Sequence, residues 1–263
     1  MFHGEASYAF IMGIISGYPV GAKIVNKFIE DGTCSKQEAE RMLAFTNNSG
    51  PLFIIGTVGI SLFGDTHVGI ILFITHILSC LTVGFIFGFI SKHVSFNSKK
   101  RNYKDSTTSN MYSLSDLGSI LSNSITNSIS TILLIGGFIV LFSIIISILN
   151  SLNIIDILAG VLTKIGISSN IGTGLLTGLI ELTNGVNCIS CIHAKNMSWQ
   201  IISAAFLLGF AGLSIFLQIF SIASKNNLSM KPYLIGKILQ GCFAGIYTAI
   251  ILNCFDSFYF NLC

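Results

Sequence analysis

Thr177-Gly-Leu-Ile-Glu-Leu-Thr-Asn-Gly-Val186 sets a single carboxylate, Glu181, between two hydrophobic stretches. A charge at membrane depth costs a few kcal/mol, so it is rare there unless it faces a cavity or a pathway. The Gly, Thr and Asn residues around it suit a broken or re-entrant helix better than a smooth lipid-facing span. Two readings follow. Glu181 is either a transporter's coupling or gating group, or a structural carboxylate bonded to neighbouring backbone amides.

The surrounding composition supports a membrane setting. Of the 263 residues, 52% are hydrophobic and 10% charged, against about 25% charged in soluble domains; the mean hydropathy is +0.78. No basic segment followed by a short apolar core and a cleavage site opens the chain, so a cleavable signal peptide is not expected. The net charge of +3 is modest and scattered, which argues against a nucleic-acid partner. Seven cysteines, at 34, 80, 188, 191, 242, 254 and 263, sit mostly within apolar runs and read as free thiols rather than a disulfide framework.

A membrane-spanning helix needs about 20 apolar residues. Five segments meet that length: 42–63, 68–91, 129–150, 198–223 and 232–255. Two more, 6–29 and 168–193, are apolar but interrupted by Gly, Pro or polar residues and read as re-entrant helical hairpins. The basic residues of loops 23–41, 92–116 and 224–231 then fall on one side, taken as cytoplasmic. The expected fold is an all-α polytopic membrane protein with about five full spans and two oppositely oriented hairpins.

The two halves repeat weakly. Gly13-Ile-Ile-Ser-Gly-Tyr-Pro-Val-Gly21 sets against Gly178–Gly185, and Ser49-Gly-Pro-Leu-Phe-Ile-Ile-Gly56 sets against Ala211–Gln218. The spacing from Gly13 to Gly50 is 37 residues and from Gly178 to Gly212 is 34. Inverted repeats with the site at their interface are a recurring transporter plan. On this reading residues 1–91 form the first repeat, 92–116 a polar basic cytoplasmic linker and 117–263 the second repeat. The second half has a leading span that the first lacks, so an N-terminally shortened chain is expected.

Asn47, Asn48, Ser49 and Gly50 precede Pro51 inside an otherwise apolar run. Pro51 removes a donor and frees backbone groups, so this is read either as an unwound helix that grips a polar solute or as a simple kink. Ser16, Gly17, Tyr18, Pro19, Gly21 and Lys23 mark a hairpin tip whose exposed helix N-terminus attracts anions. Lys23 could add its charge there or snorkel to headgroups. Glu181, Thr183 and Asn184 mark the second tip, and Ser214 and Gln218 share one helix face four residues apart. Cys188, Cys191 and His193 fall short of a metal site, and His76 is read as a hydrogen-bonded packing histidine ahead of a proton relay. No catalytic set assembles, so neither an enzyme nor a cofactor is expected.

Ser16-Gly-Tyr-Pro-Val-Gly-Ala-Lys-Ile24, Thr46-Asn-Asn-Ser-Gly-Pro-Leu-Phe-Ile-Ile-Gly56, Gly178–Gly185 and Gly209-Phe-Ala-Gly-Leu-Ser-Ile-Phe-Leu-Gln218 together resemble the YlbJ family of sporulation integral membrane proteins. Members usually carry additional N-terminal spans. The resemblance implies a nucleoside-recognition (Gate) domain, the outer forespore membrane, and movement of dipicolinic acid toward the forespore with effects on the spore cortex. It implies a small organic anion as solute; a coupling ion, H+ or Na+, and a homo-oligomer are compatible with it. Tip amides, the Asn47, Asn48 and Ser49 side chains and Lys23 would bind the carboxylates. Glu181 would repel a dianion unless protonated, in which form burial favours it and it could donate. A membrane scaffold for cortex assembly and a nucleoside-type transporter are the alternatives.

Overall fold

The computed structural model describes residues 4–94, 114–193 and 197–260. All regular elements among them are helical. Their surface is apolar and their interior holds polar groups. Leu52 is 85% exposed and Leu133 70%, whereas Asn47, Glu181 and Gln218 are buried. The core is still mainly hydrophobic, so it is the broadly apolar exterior that fits a hydrocarbon solvent. Four helical stretches are long and apolar enough to cross a membrane: Thr66–Phe89, Leu117–Ser151, Ser198–Asn226 and Lys231–Cys254.

Two short helices, α1 (Gly4–Ser16) and α2 (Val20–Glu30), form the first hairpin. Gly17 turns the tip at φ +75°, a conformation that a Cβ would strain. The helices run antiparallel, with Gly13 facing Gly21 and the rings of Tyr8 and Phe28 6.3 Å apart. Next come α3 (Lys36–Thr46), an extended break through Asn47–Gly50, a π-helix (Leu52–Leu62) and α4 (Thr66–Val94). A reciprocal Ser35–Glu38 capping box starts α3. The wider winding of the π-helix shows where the Phe63 amide donates to the Val58 carbonyl at 3.0 Å.

The second half opens with α5 (Leu114–Ser151) and α6 (Ile154–Leu162), then repeats the series. The pair α7 (Ser169–Ile180) and α8 (Leu182–Ser190) forms the second hairpin. Gly178 meets Gly185, and Gly174 meets Ile189. After it come α9 (Ser198–Phe210), α10 (Gly212–Ala223) and α11 (Lys231–Phe260), with the α9–α10 junction turned through Ala211 at φ 76° and Gly212 at φ 78°.

Each hairpin tip rests on the break of the helix that follows it. Gly17 lies against Gly50, and the Ile180–Leu182 tip lies against Gly212. The halves interlock through their long helices: α11 packs on α3 and α9, and α4 packs on α9. Loops 23–41 and 224–231, set on one face by their charges, meet: the Ser229 amide donates to Glu40 Oε1 at 2.8 Å.

Four features differ from the sequence reading, one being segment 198–223, which is two helices, α9 and α10, joined through Ala211 and Gly212 at positive φ. Segment 42–63 is two helices rather than one span, because Pro51 has no amide to continue α3 and the Asn47 and Asn48 side chains occupy its last carbonyls. The long helix expected at 129–150 begins at Leu114, since its polar first half is still a helix. The added short helix α6 packs against α7. Of loop 92–116, residues 95–113 lie outside those described.

Candidate functional site

A cavity of about 330 Å³ lies where the two hairpin tips and the two helix breaks converge. Ser16, Gly17 and Tyr18 come from the first tip, and Glu181 and Thr183 from the second. Ser49 and Gly50 come from the first break, and Gln218 from α10. Ile135 and Ile139 of α5 supply an apolar wall. Eight of the residues singled out in the sequence, from four separate stretches, are thus brought to one cavity.

Glu181 bridges α7 and α8 in an extended conformation. Its Oε1 accepts the Thr183 amide at 3.1 Å and its Oε2 the Asn184 amide at 2.8 Å. These are otherwise orphaned donors of the first turn of α8, so the carboxylate is the helix cap. Because it also lines the cavity, Glu181 combines the structural role and the site position. Gln218 is 1% exposed, and its Oε1 has no hydrogen-bond partner among the described residues. Ser214, one turn earlier, is equally buried with an unpartnered Oγ, but it does not line the cavity. A buried acceptor without a donor is costly in an empty site and useful in one that takes a polar ligand.

Asn47 and Asn48 lie behind the cavity wall. Asn47 Oδ1 accepts the Ala22 amide at 2.6 Å, which caps α2. Asn47 Nδ2 donates to the Leu43 carbonyl at 3.4 Å and Asn48 Nδ2 to the Phe45 carbonyl at 2.8 Å. Both side chains therefore satisfy the helix ends made free by the break. Pro19 and Gly21 stand beside the tip, and Gly21 packs on the Thr46 carbonyl. Lys23 reaches across to α5, where its Nζ donates to Thr131 Oγ1. Asn184 also turns to α5, donating to Ser143 Oγ at 2.7 Å. Cys188, Cys191 and His193 open onto a separate cleft with Asp156 and Asn170.

The sequence reading passed over Lys237 and Gln240 of α11. Lys237 is 1% exposed. Its Nζ donates to the Asn47 carbonyl and, at 2.8 Å, to Gln240 Oε1. Gln240 Nε2 in turn donates to Asn48 Oδ1 at 2.9 Å. The available signal was an ionisable residue within an apolar span. His76 is buried within electrostatic reach of Lys237, with neither ring nitrogen hydrogen-bonded to a described residue, which differs from the bonded packing role expected of it.

Fold and cavity together define an integral, all-α polytopic membrane protein with a largely apolar cavity, set with a few polar groups, where its hairpin tips meet. The sporulation integral membrane protein YlbJ of Bacillus subtilis (strain 168) is 32% identical over 262 aligned residues, covering 94% of this chain. The chain is thus similar to that protein over nearly its whole length, and it spans 64% of that relative's length. No protein-family profile matches the chain. No solved structure matches it either.

Proposed function

We propose that this chain moves a small organic anion, dipicolinate in the first instance, across the outer forespore membrane during sporulation. The observation that carries the reading is the 330 Å³ cavity between both tips and both breaks. Its size falls in the roughly 300–1,000 Å³ range of small-molecule sites. Its placement matches the plan in which discontinuous helices hold a solute between two opposed repeats. Similarity to the sporulation integral membrane protein YlbJ supports the sporulation setting. The hairpins are taken to be re-entrant, so that tilting one tip against its break opens the cavity to one side. Transport is the reading because Ser16, Ser49, Glu181 and Gln218 converge on one cavity between broken helices.

Dipicolinate is a flat pyridine bearing two carboxylates. The Ser16 and Tyr18 side chains of the first tip and Ser49 of the first break line the cavity and bring hydroxyl donors for a carboxylate. The Ile135 and Ile139 wall suits the ring face. A nucleoside-type solute is the second reading, favoured by one feature: the Glu181 carboxylate faces the cavity and would accept from a neutral solute more readily than it would tolerate a dianion.

Dipicolinate partitioning in sporulating cells that lack this gene tests the proposal. Dipicolinate that is made but stays in the mother cell or medium supports transport. Spores that fill normally while the cortex fails would replace it with a scaffold role. Competition by nucleosides for uptake into proteoliposomes would favour the second reading.

A further inference from the structure

The first helix break carries a positive charge deep inside the protein. Among the described residues, the hydrogen-bond acceptors of Lys237 Nζ are the Asn47 carbonyl and Gln240 Oε1, both uncharged. The faces of Tyr18, with the ring centroid 5.4 Å away, and Tyr233, at 5.9 Å, lie beside it, and His76 and Cys80 are within electrostatic reach. Two aromatic faces and two carbonyl oxygens make the surroundings of a desolvated cation. Gly236 makes the approach possible: a Cβ there would strike the Ala44 carbonyl, so α11 runs close against α3 at this point.

Asn47 is the C-terminal cap residue of α3. Three carbonyls at the end of that helix take side-chain donors. Leu43 accepts from Asn47 Nδ2, Phe45 from Asn48 Nδ2 and the Cys80 thiol, and Asn47 from Lys237. The negative end of the α3 dipole therefore faces the ammonium. In transporters with broken helices, unwound carbonyls and half-helix C-termini are where a coupling Na+ or H+ is held. The corresponding end of α9, at Ala211, is turned by left-handed backbone and packs on the second tip. The two breaks are thus finished differently, and the lysine belongs to the first alone.

We infer that Lys237 is a tethered cation that occupies, at the α3 break, the place a soluble alkali ion would otherwise take. The first break is then held in its unwound shape without sodium. The ammonium also packs on the ring of Tyr18, a residue of the cavity wall. The inference takes its meaning from the transport reading, but it concerns the ion requirement of the folded protein and can fail separately.

The test uses thermal unfolding of the purified full chain in detergent, in NaCl, KCl and choline chloride at equal ionic strength. The wild type should melt at the same temperature in all three. Lys237→Ala should melt lower by more than about 5 °C. It should recover saturably with n-propylammonium, which replaces the deleted atoms, and not with n-propanol. Wild-type stabilisation by Na+ over choline would overturn the inference. So would a Lys237→Met variant as stable as wild type. If Lys237→Ala does not accumulate, the wild-type salt series decides alone, in either direction. None of these readouts uses a transported solute, so loss of dipicolinate transport and loss of the tethered cation are distinguished.

Discussion

Asn47 Oδ1 accepts the backbone amide of Ala22 at 2.6 Å, so the break that ends α3 also caps the start of α2. One side chain joins a hairpin to the helix after it. Asn47→Ala should leave the Ala22 amide buried without an acceptor and lower stability by about 1–3 kcal/mol. Asn47→Asp keeps the acceptor and should retain more of it. Melting of the purified variants checks this order, and an alanine variant as stable as wild type would show that the cap is dispensable.

The second hairpin depends on a backbone-to-backbone approach. A Cβ on Gly185 would run into the backbone of Gly178, where nothing flexible can give way. Gly185→Ala should therefore cost about 1–3 kcal/mol or prevent accumulation. Gly160 in α6 has open space where its Cβ would go. Gly160→Ala should be neutral or stabilising by up to about 1 kcal/mol. Membrane-fraction yield and melting temperature compare them, and equal behaviour would contradict the packing of α7 on α8.

Glu181→Gln tests whether the cap and the site can be separated. The amide oxygen can still accept from one of the two α8 amides, while the new NH2 group faces the other donor. A loss of about 1–2 kcal/mol is expected, with the fold retained. Transport should fall as well, because the same side chain lines the cavity. Transport at the wild-type level would take Glu181 out of the mechanism and leave it as a cap.

The breaks and tips were legible because the residues that make them are conspicuous in an apolar chain. Pro51 cannot donate, Gly17 takes a left-handed φ, and Asn47 and Asn48 have no reason to face lipid. The pairing of Gly13–Gly21 with Gly178–Gly185 also reads directly, since close approach requires glycine on both helices. Lys237 was hidden by its neighbours: Leu234-Ile-Gly-Lys-Ile-Leu239 reads as plain span, and one charge barely lowers a window average. Its partner, Asn47, is 190 residues away, which no local pattern can show. The early start of α5 was missed for the opposite reason. Ser119–Asn127 is mostly polar, with only Ile120, Leu121 and Ile125 apolar, and so does not signal a span, yet it continues a helix whose apolar half carries it.

Gln218 offers the cleanest separation of site from fold. Removing a buried polar side chain usually destabilises a protein because its partner is left unsatisfied. Gln218 Oε1 has no such partner among the described residues, so its burial already carries that penalty. Gln218→Leu should therefore leave the melting temperature unchanged or raise it, by up to about 1 kcal/mol of stability. Ser214→Ala, one turn away and off the cavity wall, should share the neutral effect on stability. Only the Gln218 variant should then reduce uptake of dipicolinate into proteoliposomes, because only it changes the lining. A Gln218→Leu protein that unfolds earlier would reveal a partner within the fold. One that transports as wild type would place the solute elsewhere.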